Sequence, residues 1–224
     1  MVDSSQRRRG FAALEFAVVI VILGIIFAIT LKGAGAIEAM RAIATVHELR
    51  NYQNILQNYL AEFRQLPGDD PAAPSHWGRP AAMTVVDGIR ASLAGDGLIQ
   101  GDLSDPLNPE GEQLMAWRDL RLSGLLDGDP ALIGQAAQPE DYFGTAFGFA
   151  QTNLGLDQVL CAMHVPGGVA RYIDEQLDDG HIETGHVRAT SQWDPVNAKN
   201  RFDTPDKTPY DPSKSYIICM PYQP

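Results

Sequence analysis

Residues 7–32 read RRRGFAALEFAVVIVILGIIFAITLK, and this stretch decides the amino-terminal half of the fold. Between Phe11 and Leu31 the one charged side chain is Glu15, and a basic leader ending in Arg7, Arg8, Arg9 and Gly10 introduces the run. At about 1.5 Å per residue, a helix of this length spans roughly 31 Å, enough to cross a bilayer core. A charge inside such a segment costs on the order of 3 kcal/mol, so Glu15 is a functional hypothesis by default. A secretory signal has an apolar region of about 7–15 residues before a small-x-small cleavage site. This run is longer and passes without a turn into further helical sequence.

Working outward, apolar residues keep a three- or four-residue step after Lys32: Ile37, Met40, Ala44 and His47, then Tyr52, Ile55, Leu56, Tyr59 and Phe63. The first proline is Pro67, so the spacing predicts one helix from Phe11 to Arg64. Its second half is amphipathic and lays an apolar stripe on a globular region. Leu66-Pro67-Gly68-Asp69-Asp70-Pro71 reads as a turn-rich linker. Glu112–Leu126 is a predicted helix closed by Asp127-Gly128-Asp129-Pro130. Segments near Tyr142–Phe149, Val159–Val165 and Tyr216–Met220 read as strands, and Gly155–Val159 or Gly168–Leu177 as a short helix. Trp193–Pro212, rich in Asp, Pro, Asn and Lys, reads as an ordered surface loop.

The 224 residues carry a formal charge of −11. The leader is net positive and 11–32 is neutral, because Glu15 offsets Lys32, so the acidity lies in the remainder. Nucleic-acid binding is disfavoured, since a grip on phosphates needs clustered Lys and Arg. The five histidines His47, His76, His164, His181 and His186 show no HExxH spacing, and GxSxG, GxxxxGK[ST] and GxGxxG motifs are absent. The chain therefore reads as structural rather than enzymatic.

Gly10-Phe11-Ala12-Ala13-Leu14-Glu15 resembles the processing site of type IV prepilins and type II secretion pseudopilins. The resemblance implies cleavage after Gly10, N-methylation of Phe11, and Glu15 as the carboxylate that guides filament assembly. One departure stands at Lys32, where many members have a helix-breaking proline; Gly24, Gly33 and Gly35 are the weaker points that remain. Leu66–Asp70, the segment from Trp117 to Gly124-Leu125-Leu126, and Ile173–Gly180 resemble parts of prepilin-like proteins with a large globular region.

The fold class this implies is α+β: a leader (1–10), a transmembrane and assembly helix (11–32), its amphipathic continuation (33–65), and a head (66–224) with an antiparallel sheet, in lollipop arrangement. The implied function is a major or minor subunit of a type IV pilus-like filament, with a pseudopilin of a type II secretion system as the alternative. A non-polymerising membrane-anchored adhesin or binding module is the alternative of another class. The implied partners are other pilin subunits, a prepilin peptidase, an inner-membrane platform protein and an assembly ATPase. The implied location is the inner membrane with the head in the periplasm, then a filament.

Export would place Cys161 and Cys219 in an oxidising compartment, where they are expected to pair and to pin the carboxyl-terminal strand. No cofactor is required. Calcium is the one ion worth weighing, with Asp194, Asn197, Asp203, Asp206 and Asp211 as its candidate ligands. The competing reading is that aspartates preceding Pro195, Pro205 and Pro212 make turns.

Overall fold

The computed structural model describes residues 4–78, 83–86, 89–92, 95–103, 109–192 and 202–223; within these, the side chains of 4–14, 28–34, 83–86 and 89–92 are not described. The chain divides into two units, Met1–Arg41 and Ala42–Pro224.

Helix α1 runs from Ser4 to Phe63. It starts before Phe11, the expected boundary, because the arginines of the leader are good helix formers and Gly10 alone costs only about 1 kcal/mol. In the first unit every described side chain of 15–27 is exposed, including Phe16, Ile20, Leu23 and Phe27. Among the described residues no helix is long and apolar enough to cross a membrane. The described side chains of the apolar run cover 15–27, about 20 Å of helix against a bilayer core of about 30 Å.

In the second unit α1 buries Ala42, Thr45, Val46, Leu49, Tyr52, Ile55, Leu56 and Tyr59. The stripe through Tyr52, Ile55, Leu56 and Tyr59 is the expected one. The expected set Ile37, Met40, Ala44 and His47 is corrected: Ile37, Met40 and His47 are exposed and Ala44 is half-buried. The two sets are out of phase, since five residues from His47 to Tyr52 turn a helix by about 500°, or 140° off the face. The helix stops at Arg64, which takes φ 59° while its N–H bonds to the Leu60 carbonyl at 3.0 Å.

After α1 come α2 (Ala73–Trp77), β1 (Met83–Val86), β2 (Ile89–Ser92), α3 (Glu112–Leu122), a 3-10 turn (Gly134–Ala137), β3 (Phe147–Asn153), β4 (Leu156–Pro166), α4 (Gly167–Leu177), β5 (Arg188–Thr190) and β6 (Ser215–Pro221). β1 and β2 form a separate antiparallel pair, and the main sheet is antiparallel in the order β3-β4-β6-β5. The class is α+β.

Several boundaries move, each for a local reason. α3 ends short of the expected Leu126 because Gly124 adopts φ 76° and the Leu125 and Leu126 amides bond back to the Leu120 carbonyl. In the main sheet the strand expected near Tyr142–Phe149 is β3, which begins at Phe147, not Tyr142. Of the two alternatives for a short helix, Gly167–Leu177 is the helix, while 155–159 holds the hairpin turn and the start of β4. That turn is Leu154-Gly155, both at positive φ, which matches the twist of a two-residue hairpin. β1, β2, β5 and α2 have no counterpart among the elements expected from the sequence.

Both faces of the sheet are covered. Phe147, Phe149, Leu160, Ala162, Tyr216, Ile218 and Met220 join α1, α3 and α4 in the main core. Trp117 stacks on Phe149 with ring centroids 4.2 Å apart, and Tyr52 meets Trp117 and Phe147 edge-on at 5.1 and 5.2 Å. The alternate residues Val159, Cys161, Met163, Ile217 and Cys219 form a second cluster with Leu103, Leu154 and Phe202. Cys161 and Cys219 are register partners on β4 and β6 and form a disulfide, with Cα atoms 4.0 Å apart.

Candidate functional site

The first candidate is the amino-terminal part of α1. Glu15 is exposed and is followed by apolar side chains pointing to all sides of the helix. Phe16 and Phe27 are each about two-thirds or more exposed, at 71% and 67%. A helix apolar all round lacks the polar face of a surface helix and suits burial in lipid or among other helices. The Gly10–Phe11 peptide lies within α1, and the side chains of both residues fall outside the described set, as does Lys32.

The second candidate is a knot of buried acids under the segment that reads as a linker. Asp69, Asp70, Glu112 and Asp119 are all fully buried. The Asp69 carboxylate accepts from the Gly95, Asp96 and Gly97 amides, the last at 2.7 Å. Asp70 accepts from the Tyr59 hydroxyl at 3.2 Å and the Ala72 amide at 2.8 Å, with His76 Nδ1 at 3.4 Å. Asp119 accepts from the Gly68 amide at 2.7 Å, and Glu112 from the Gln100 amide at 2.8 Å. Burial raises the Asp69 pKa, against the pull of its three amide donors. One oxygen each of Asp69, Asp96 and Glu112 lie within 4.8 Å of one another. Calcium takes about six to eight oxygens, and these carboxylates already serve amides that fasten the 95–101 loop, so the arrangement reads as a structural clamp.

A third group sits where α4 ends. Asp174 is fully buried; its Oδ2 accepts from the Tyr210 hydroxyl at 2.8 Å and its Oδ1 from the Gly180 amide at 3.1 Å. Burial pushes its pKa up to about 6, Tyr210 and Gly180 pull it down, and the nearby Asp179 and Asp178 add to the rise. Asp178 accepts from the His186 and Val187 amides, and Asp179 from the His181 amide and the Thr184 hydroxyl. These carboxylates close a turn and have donors for their oxygens. Beside them opens a cleft of about 400 Å³, lined by Arg171, Glu175, His181, Lys207 and Tyr210 among others.

The structure distributes the residues singled out in the sequence. Asp194 and Asn197 lie outside the described residues. Asp203 is exposed. Asp206 accepts from Thr190 Oγ1 and from Ser191 N and Oγ at 2.7–2.9 Å; burial opposes its ionisation, but these donors hold its pKa below the ordinary value. Asp211 accepts from the Ser213 hydroxyl and amide, which lower its pKa likewise. Asp206 and Asp211 thus make loop and turn contacts, and among the described residues the acidic groups that converge lie elsewhere.

Asp174 is the residue that the sequence signalled and reading overlooked: with Ala170 and Ile173 it marks the buried face of α4, an apolar position filled by an acid. The acids at 69, 70, 112 and 119 gave no comparable signal, since they meet only in space. No family model, no curated protein and no solved structure matches the chain.

Proposed function

We propose that the chain is a subunit of a type IV pilus-like filament, held in the inner membrane by 11–32 until assembly. A pseudopilin of a type II secretion system is the neighbouring member of the same class and uses the same helix. The observation that carries the reading is the exposure of apolar side chains on every side of α1 through 15–27, headed by Glu15. Such a surface is stable in lipid and equally among parallel helices of other copies, so one segment serves as anchor and then as filament core. Two further features support it: the prepilin-like GFAALE at 10–15, and the buried Cys161–Cys219 bond, which suits an oxidising compartment.

In this mechanism a prepilin peptidase removes Met1–Gly10, and the new amino group of Phe11 is methylated. An assembly ATPase and a platform protein then extract the helix from lipid into the filament. The carboxylate of Glu15 faces the Phe11 ammonium of a neighbour, which sets the axial register of the incoming copy while apolar contacts supply non-directional attraction. Mass spectrometry of the membrane-extracted protein tests this. A chain starting at N-methylated Phe11 is expected; a chain retaining Met1–Gly10 in cells with active peptidase would overturn the reading.

A further inference from the structure

Lysine is unevenly placed in this chain: after Lys32 none occurs until Lys199, and then Lys207 and Lys214 follow before β6 begins. The 202–214 loop brings Lys207 and Lys214 to one cleft of about 410 Å³, which Thr204, Thr208, Gln192 and Asp206 line with them. Two cations against one carboxylate leave this cleft net positive, in a molecule whose formal charge is −11.

The lysines are positioned through their backbone and not by acids. Asp206, next to Lys207, donates its amide to the Ala189 carbonyl at 3.0 Å, so β5 fixes the chain at this point. The Lys214 amide donates to the Asp211 carbonyl at 3.0 Å, and the Lys214 carbonyl accepts from the Gly167 amide at 2.8 Å. Among the described residues neither ammonium forms an ion pair. The Asp206 carboxylate is turned to the end of β5, where Oδ1 accepts from Thr190 Oγ1 and Oδ2 from the Ser191 amide and hydroxyl, at 2.7–2.9 Å. Asp211 Oδ1 accepts from the Ser213 amide and hydroxyl, and Lys214 acts on both carboxylates only through space. Lys207 and Lys214 are both exposed, so an arriving ligand can reach them.

An oxyanion suits such a pair. A phosphate ester carries a charge of about −1.5 to −2 at neutral pH and three acceptor oxygens, which two ammoniums can share with adjacent hydroxyls. The cleft is larger than a lone phosphate needs and falls in the range of small-molecule sites. Its remaining wall is hydroxyl, amide and proline, with no aromatic or large aliphatic side chain. A nucleobase would have no ring to stack on, and a lipid chain no apolar surface to bury. We propose that this cleft binds a hexose phosphate, with Lys207 and Lys214 on the phosphate and Thr204, Thr208 and Gln192 on the sugar hydroxyls. The site stands independently of the filament reading, because every group in it belongs to the second unit.

The experiment is isothermal titration calorimetry on the full chain in micelles of an uncharged polyoxyethylene detergent, at roughly 0.15 M salt, where diffuse attraction to exposed charges is screened. Glucose 6-phosphate is the probe, and glucose, glucuronate and inorganic phosphate are compared with it. Glucose 6-phosphate is expected to bind at least about tenfold more tightly than each of the three. Lys207→Gln and Lys214→Gln should each weaken its binding about tenfold, and because both side chains are exposed the fold is kept. Arg171→Gln removes a cation that pairs with Glu175 outside this cleft and leaves the affinity unchanged. Acylation of lysine amines, read by mass spectrometry on the wild type, is slowed at Lys207 and Lys214 by glucose 6-phosphate and not by glucose. Failure of glucose 6-phosphate to bind, equal affinity for glucuronate or inorganic phosphate, unchanged affinity in either lysine variant, or an equal loss in Arg171→Gln overturns the site.

Discussion

Gly68 takes φ 83° directly against α3, where a Cβ would lie 2.2 Å from the Glu112 carbonyl oxygen and 2.9 Å from the Ala116 nitrogen. Neither the backbone angle nor the backbone contact can be relieved by a side-chain rotation. Gly68→Ala is therefore expected to lower stability by about 3 kcal/mol, read as a shift in the denaturant midpoint. Gly78→Ala is the internal comparison: φ is 66° but nothing lies within 4 Å, so only the left-handed conformation is penalised, at about 1 kcal/mol. Equal losses for the two would mean that close packing of 66–70 on α3 does not govern the site. The sequence reading placed a turn at 66–71 correctly, since Pro and Gly after a long helix are a local signal. That Asp69 and Asp70 turn inward was hidden, because their donors come from Gly95, Gly97, Tyr59 and Ala72, and only Ala72 and Tyr59 are close in sequence.

Secondary-structure elements follow the same division between local and distant information. The buried stripe of α1 was readable from Tyr52 onward, where aromatic and aliphatic residues repeat in phase. The set from Ile37 to His47 lies off that stripe, because Ile37 and Met40 are as apolar as true core residues and only the phase separates them. Strands β4 and β6 were readable from their apolar runs, and the pairing of Cys161 with Cys219 joins them at register positions. β5 was not: three residues at a sheet edge carry too little pattern, and β5 is held by Asp206 reaching Thr190 and Ser191. The disulfide links residues 58 apart, so opening it releases a long loop in the unfolded chain. Cys161→Ser and Cys219→Ser are each expected to lower stability by about 2–5 kcal/mol under non-reducing conditions. The double substitution should add little to either single one. A double variant far less stable than both singles would show that the two side chains contribute separately through packing in the Leu103–Phe202 cluster.

At the scale of the whole molecule, α1 belongs to two environments. Through 42–59 it buries one stripe against a core rich in aromatic residues, as any helix of a folded domain does. Through 15–27 it exposes every described side chain, and a water-soluble domain gains nothing from that surface. On the function proposed above, the question is whether the segment only anchors or also assembles, and Glu15 separates the two. A carboxylate in hydrocarbon is unfavourable unless a partner offsets its cost, and a plain anchor has no use for it. In the proposed stack of parallel helices, the Phe11 ammonium that cleavage after Gly10 would create on a neighbour can reach the height of Glu15 and convert that cost into register. Replacing Glu15 with leucine should leave membrane insertion intact or improve it, because an unpaired charge is removed. Filament formation or secretion should nevertheless be lost. The measurement is membrane-fractionated protein level alongside filament yield or secreted activity in the Glu15→Leu strain. Full activity at a normal level would show that Glu15 does not guide assembly and would favour a simple anchor; loss of activity with loss of the protein from the membrane would show a role in insertion instead.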